Sequence, residues 1–522
     1  MTTGTNLLEL GRNCWRIERA TRATVIIDAD DYFNAARAAM LKAKTQILLV
    51  GWDFDARILL GSDSENADGG PHELGTFFSW LVKRTPGLQI YILRWDTGAI
   101  KTLFHGRTLL HLAKWIKDPR IHLRLDSHHP PAGSHHQKVV VIDDCLAFCG
   151  GIDMTIDRWD TCDHADDEPR RKEPDGTPYG PWHDATTMLE GPVARALGDM
   201  CRGRWEVSGG GRLEQVHGES GCWPDHVKAD FTEAEVGIAL TVPEMADQEP
   251  MHQIEALYVD LIERAKRWVY AESQYFASRK VAEAVAKRLA EPDGPEFVIV
   301  NPTSAQGWLE PVAMDSARAR LIEALQERDP HGRLRLYHPY TDLGEPIYVH
   351  AKVTVIDDEV LRVGSSNFNN RSLRLDTECD VVIDAARSAN ADERETIARI
   401  RNSLLAEHLN TNCDMVVATL NETGSLIETI ERLRGDGRSL RVYEVPEIDA
   451  VRAWLADNKV LDPEGPGEMF EALSRRKPLL GRLRSHFRRD DGTISRNSGL
   501  VLGRLAVGTA LFAVAAIKAR KR

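Results

Sequence analysis

The segment SHHQKVVVIDDCLAFCGGID, which begins at Ser134, returns in altered form as VHAKVTVIDDEVLRVGSSN, beginning at Val349. A repeat of this kind constrains the fold before any propensity is considered, because one supersecondary unit used twice predicts two units of the same build. In each copy a polar entry leads into a β-branched run, VVVI or VTVI. An acidic turn and a second apolar run ending in small residues follow, which predicts two strands joined by a tight turn. A further strand candidate precedes each copy, TQILLVGWDF in the first half and RWVYAESQYF in the second, and helical stretches such as VAEAVAKRLAE follow. The expectation is a duplicated α/β protein. Residues 1–215 and 235–410 form the two halves, 411–497 a helical accessory region, and 498–522 an apolar tail with basic flanks. The least structured join is GGGRLEQVHGESG.

A chain of 522 residues exceeds the size at which one core keeps growing. The formal charge of -13 argues against a polyanionic partner such as nucleic acid, whose affinity comes largely from lysine and arginine on phosphates. The start, MTTGTNLLELGRNCWRIERA, has no apolar run of signal-peptide length, which disfavours secretion and predicts a cytoplasmic protein. Eight scattered cysteines make neither a disulfide framework nor paired zinc spacing. Cys145 and Cys149 are expected to share a strand face and pack as small hydrophobes, so no metal is inferred from them. The stretch TCDHADDEPRRKEPDGTPYGP is too rich in charge, proline and glycine for a core strand. It is expected to be a surface loop, either a lid or a solvated insertion.

The chemistry lies in the repeat. His136, Lys138 and Asp143 recur as His350, Lys352 and Asp357. Histidine and lysine two residues apart on a strand point the same way, which sets a nucleophile or acid beside a fixed positive charge. A phosphodiester requires that arrangement. The glycines Gly150, Gly151 and Gly364 follow the second strand, where a missing side chain lets backbone approach an anion. Ser365 and Asn367 can donate to phosphoryl oxygens. A solvated strand edge would account for one such triplet, but two at matched offsets have no packing rationale. His135 is expected to face the other side of its strand in a structural role, and His183 reads either way. Trp52 and Tyr275 are read chiefly as aromatic packing near strand ends.

These residues resemble the phospholipase D superfamily, whose signature is HxKxxxxD followed by GSxN or GG. The second copy fits fully through His350, Lys352, Asp357, Gly364, Ser365 and Asn367, while the first carries Gly151 and Asp153 where the serine and asparagine would stand. The resemblance covers nearly everything to about Leu409 and implies an αβα sandwich from each half, with both motifs meeting across a pseudo-two-fold axis in one active site. It implies that one histidine attacks phosphorus while the other protonates the leaving alcohol, with His136 preferred as nucleophile. Lys138 and Lys352 would hold the phosphoryl charge, Asp143 and Asp357 would fix strand ends, and Gly151, Asp153, Ser365 and Asn367 would contact the phosphate. No cofactor or metal is implied. A carboxylate should hold each imidazole, and the resemblance implies Glu378 for His350 and Asp184 for His136.

A phospholipid is the leading substrate, with water or an alcohol as acceptor, and GGID, WHD and EGP resemble segments of phospholipases and cardiolipin synthases. A cardiolipin synthase-like phosphatidyltransferase, a nuclease and a non-catalytic membrane scaffold are the alternatives. In the tail, Gly499 to Ile517 is apolar except for Arg504 and Thr509 and approaches the roughly 20 residues of a span. Basic flanks suit an anionic membrane surface, so the protein is expected as a monomer at the inner face of the membrane. A terminal helix docked on the protein is the other reading.

Overall fold

The computed structural model describes residues 7–61, 69–96, 114–115, 117–131, 133–216, 218, 221–305 and 310–445. The tail from 498 and the accessory stretch from 446 lie outside the described residues. The first half runs β1 (Arg16–Ile27), α1 (Ala29–Met40), β2 (Gln46–Gly51), α2 (Leu74–Arg84), β3 (Gln89–Trp95) and β4 (Ile121–Asp126). It continues with β5 (Val139–Ile142), β6 (Leu146–Gly150), β7 (Trp182–His183), β8 (Ala185–Glu190) and α3 (Pro192–Trp205). The second half runs β9 (Phe231–Val242), β10 (Met251–His252), α4 (Gln253–Arg264), β11 (Trp268–Glu272), α5 (Arg279–Leu289), β12 (Glu296–Val300), α6 (Glu310–Gln326) and β13 (Leu334–Tyr340). It ends with β14 (Tyr348–Val349), β15 (Val353–Ile356), β16 (Val360–Gly364), β17 (Glu378–Asp384) and α7 (Arg394–His408). Then come α8 (Cys413–Thr423), α9 (Leu426–Leu433) and β18 (Ser439–Val442).

The sheet order makes the duplication explicit. From the centre outward the first half reads β1-β8-β6-β5-β2-β3-β4 and the second β9-β17-β16-β15-β11-β12-β13, with β18 added at the second edge. The long strands β1 and β9 pair antiparallel, Arg16 opposite Ile238 and Ala23 opposite Phe231, and join the halves into one sheet. Helices α1 and α2 cover one face of the first half, and α4, α5 and α6 cover the equivalent face of the second. The central core lies between the halves and takes in α3, α7, the β-branched rows of β5 and β15, and β17. Both hairpin strands of each motif are wholly buried, which is why they are mostly apolar rather than alternating; the exceptions are Thr354 in β15 and Arg362 in β16, whose buried guanidinium pairs with Asp380.

All eight cysteines are free thiols and six are buried. Cys149 Sγ lies 3.7 Å from Cys379 Sγ, where β6 meets β17 across the two halves. Cys145 is buried in the hairpin turn, one residue before β6 begins. In α5 the side chain of Ser278 accepts from the Val281 amide, an N-cap that ends the preceding extended segment.

The motif aspartates hold the hairpins to the sheet. Asp143 and Asp144, and likewise Asp357 and Asp358, have positive φ in a turn that aspartate tolerates better than most residues. The Asp143 carboxylate accepts from the amides of Lys44, Thr45 and Gln46 at 2.7, 2.9 and 2.7 Å. Asp357 does the same for Lys266, Arg267 and Trp268 at 2.6, 2.8 and 2.9 Å. Each turn is thus tied to the start of the neighbouring strand, β2 or β11. Replacing buried Asp143 by alanine leaves three amides without their acceptor and is expected to cost about 2–4 kcal/mol. Asp143→Asn, which keeps an oxygen and tolerates the turn, should cost less. Urea denaturation of both variants checks this, and an alanine variant as stable as the parent contradicts the clamp.

Candidate active site

Each motif enters its hairpin through a short extended segment, and that segment pairs with the other half. His136 N donates to Thr377 O at 3.0 Å, Thr377 N donates to Ser134 O at 3.0 Å, and Ser134 N reaches Asp376 Oδ1 at 2.7 Å. On the other side β14 lies parallel to β7, with Tyr348 opposite Trp182, and His350 N donates to His183 O at 2.8 Å. His136 and Lys138 precede β5, and His350 and Lys352 precede β15, so the motif side chains stand at the strand mouths rather than on the strands.

This pairing reverses the acid assignment expected from sequence. His136 Nδ1 donates to Glu378, 3.0 Å from both carboxylate oxygens, and His350 Nδ1 donates to Asp184 Oδ2 at 2.6 Å. Glu378 therefore serves the first motif's histidine and Asp184 the second's. The physical reason is the inter-half pairing, which sets residues 134–136 beside 376–378 and 348–350 beside 182–184. Glu378 starts β17 and Asp184 immediately precedes β8, each beside its own half's hairpin, yet each faces the histidine opposite.

The residues expected at the phosphate have the following partners within the protein. Ser365 Oγ donates to Glu378 Oε2 at 2.5 Å and accepts from Cys379 N at 3.0 Å, so it orients the acid. Asp153 pairs with the motif lysine: its Oδ2 lies 3.2 Å from Lys138 Nζ and its Oδ1 accepts from Trp52 N at 3.1 Å. Asn367 takes the matching place, its Oδ1 accepting from Gln274 N at 3.2 Å. Gly151 makes room for Asp184, since a Cβ there would stand 2.1 Å from Asp184 Oδ1, and its amide donates to Ala185 O. Asp143 and Asp357 stand at the far ends of β5 and β15, as clamps.

The site is largely buried and lined by two lysines. Lys138 Nζ donates to His136 O at 2.9 Å and Lys352 Nζ to His350 O, each lysine fastened to its own motif's backbone. The His136 side chain is 15% exposed and that of His350 6%, while both lysines are buried. Burial, then Lys138 and Lys352, holds His136 well below the usual histidine range. Burial, Lys352, Arg158 and Lys138 do the same to His350. Each imidazole thus feels the lysine of the other motif, so both motifs form one electrostatic site. Burial lowers Lys352 to about 7, against the attraction of Asp184, and raises Glu378 to about 8, against that of Lys138. An anion bound here would offset these lysines and raise the affinity of the imidazoles for a proton.

Sequence reasoning missed two neighbours. The Trp182 ring lies 5.2 Å from His350 and stacks on Tyr348, and the Arg158 guanidinium sits 4.2 Å over the Trp182 ring. Arg158 belongs to no repeat, and its only sequence signal is its place just after GGID. On the other flank Trp52 stands edge-on to His136 and stacks on Trp95. His135 is structural, bonded to Thr377 Oγ1 at 3.0 Å and 3.2 Å from Asp126. His183 is buried among carboxylates. The 161–181 stretch is mostly exposed, as a surface loop should be, but it is anchored by buried His164 and Arg171, both bonded to Asp160.

Two family models match the chain, one described as "Phospholipase D" over residues 39–235 and one as "Cardiolipin synthase, PLD-like domain" over 258–401. Phospholipase D alpha 1 of Nicotiana tabacum is 23% identical over 521 residues, covering 73% of this chain and 63% of the relative. Phospholipase D A of Dictyostelium discoideum is 24% identical over 424 residues, 66% of this chain and 31% of the relative. The chain thus spans less than two thirds of either relative. Among solved structures, phosphatidylserine synthase of Haemophilus influenzae Rd KW20 aligns over 72% of this chain and 86% of its own, at 13% identity and a TM-score of 0.47. With one matched segment on each side of the pseudo-two-fold and both motifs in one site, this chain belongs to the phospholipase D superfamily.

Proposed function

We propose that the chain is a phospholipase D-type phosphodiesterase that cleaves a glycerophospholipid through a covalent phosphohistidine. The observation that carries the reading is the crossed pair of imidazole–carboxylate contacts, His136 with Glu378 and His350 with Asp184, inside one lysine-lined site. With Nδ1 held, each imidazole has Nε2 left for chemistry. His136, the more exposed of the two, is the nucleophile: its Nε2 bonds to phosphorus as the bond from phosphorus to the leaving alcohol oxygen breaks, and His350 supplies that oxygen's proton. Lys138, Lys352 and Arg158 neutralise the equatorial oxygens. In the second step neutral His350 takes a proton from water or an alcohol, whose oxygen displaces Nε2 and regenerates His136.

The names of the curated relatives favour a phospholipid, which makes the membrane surface the natural partner. A cardiolipin synthase-like phosphatidyltransferase is the second reading, favoured by the model matched over 258–401, and it differs only in the accepting alcohol. A nuclease runs against the net charge of -13, and both motif histidines with their acids count against a non-catalytic scaffold. No described helix is long and apolar enough to cross a membrane. The protein acts as a monomer at the inner face of the membrane, held there by residues 498–522.

His136→Ala and His350→Ala should each lower turnover of a natural lipid by about a thousand-fold or more, and the double variant should be little worse than either. A substrate that releases p-nitrophenolate needs no proton on its leaving group, so it separates the roles. With it the first-turnover burst should return in His350→Ala and Asp184→Asn but not in His136→Ala or Glu378→Gln. The opposite pattern would exchange nucleophile and acid. A primary alcohol should divert lipid product from phosphatidic acid to the phosphatidyl alcohol, and failure to form any in the presence of turnover counts against the covalent intermediate. Deleting residues 498–522 should move the protein from the membrane to the soluble fraction while activity on detergent-dispersed lipid survives; a full-length protein found wholly soluble in low salt contradicts the anchor.

A further inference from the structure

Apart from the two reacting imidazoles, the described residues hold a second concentration of histidine and carboxylate, in which Asp28, His164, His183 and Glu407 bring their ligand-capable atoms within 4.8 Å of one another. They arrive from four segments: the turn between β1 and α1, the 161–181 loop, β7, and the last turn of α7. His183 Nδ1 lies 2.7 Å from Glu407 Oε1 and 3.4 Å from Asp28 Oδ1. His164 Nε2 lies 3.2 Å from Glu407 Oε1 and 3.7 Å from Asp28 Oδ2. The side chains of Asp28, His164 and His183 are at most 2% exposed, and that of Glu407 is 7% exposed.

Hydrogen bonding leaves this cluster incomplete. Asp28 Oδ2 and His183 Nδ1 have no hydrogen-bond partner among the described residues, although oxygens crowd the ring nitrogen. Asp28 adopts a φ of 62°, unfavourable for a residue with a Cβ, and stands at the N-cap position of α1 without capping it. Its Oδ1 accepts from Asp184 N at 3.1 Å instead, and its Oδ2 turns into the cluster. The outward ring nitrogens are held by acids, His183 Nε2 by Glu272 at 2.9 Å and His164 Nδ1 by Asp160 at 3.0 Å. Proteins orient metal-binding imidazoles in this way, because an N–H fixed on one side leaves a lone pair on the other.

We propose that Asp28, His164, His183 and Glu407 form a structural zinc site that pins the 161–181 loop and β7 to α7 of the second half. A tetrahedral zinc ion with bonds of about 2.0–2.1 Å has ligands about 3.3 Å apart, and the four measured separations straddle that value. Two imidazoles and two carboxylates suit zinc, and the two carboxylate charges cancel those of the ion in a buried place. Four protein ligands leave no open position, which marks a structural rather than a reactive site. The ion takes no part in the phosphoryl chemistry, and the proposal stands independently of the phospholipid reading. It bears on that chemistry through the backbone, since His183 O accepts from His350 N and Asp184 is the next residue.

Metal analysis of the full chain, stripped by a chelator, confirmed as folded by circular dichroism and then titrated with Zn2+ and Co2+, tests the site. One equivalent of zinc per chain is expected, with Co2+ giving the intense visible absorption of tetrahedral coordination and Zn2+ raising the melting temperature of the stripped protein. His164→Ala and Glu407→Gln should each weaken Zn2+ binding at least tenfold. Stripped wild-type protein that takes up neither ion would overturn the proposal without recourse to a variant, and the cluster would then be a set of histidinium–carboxylate pairs. A folded His164→Ala that binds Zn2+ as the wild type does would overturn it equally.

Discussion

The active site depends on the exchange of carboxylates across the seam between the halves. An imidazole that is to act as nucleophile or acid needs one ring nitrogen fixed, and here the fixing group always belongs to the opposite half. The short parallel pairing of residues 134–136 with 376–378, and of β14 with β7, makes the exchange possible, because hydrogen-bonded backbone sets each acid's height beside its histidine. The β1–β9 ladder and the core shared by the halves keep those two pairings in register.

Burial then sets the charge state. Two lysines, two histidines and the carboxylates of Asp153, Asp184 and Glu378 share a largely buried space, where each charge raises the cost of the next like one. Both imidazoles are driven toward neutrality and Glu378 and Asp184 toward protonation, all primarily through burial. An anion placed against these lysines would relieve part of that cost.

Much of the layout was legible in the sequence. The two β-branched runs and their acidic turns marked β5–β6 and β15–β16, and the His, Lys and Asp offsets marked the site. The exchange of acids was not, because reading along the chain favours partners within one half, and nothing in RLDTECD or PWHDATTMLEGP reveals a pairing between halves. The bond of Ser365 to Glu378 was hidden for a related reason: a hydroxyl beside a motif suggests a phosphate donor, and this bond emerges only when β16 and β17 lie together. The loop of residues 161–181 is the surface segment its charge and proline describe, but composition gives no sign that His164 and Arg171 turn inward to anchor it. The cluster around His183 draws single residues from distant segments, and no local pattern announces such a convergence.

The pseudo-two-fold arrangement has a consequence for symmetry. Two identical halves related by a true two-fold would give two indistinguishable histidines, each equally ready to attack and to protonate. Joined in one polypeptide, the halves can diverge: Ser365 braces Glu378, while Gly151 stands beside Asp184 and braces nothing; one acid is a glutamate and the other an aspartate; Arg158 and Trp182 attend His350, while Trp52 and Trp95 attend His136. Fusion thus lets a reaction with a direction run in a site whose backbone has almost none, and the direction resides in the few side chains that break the equivalence.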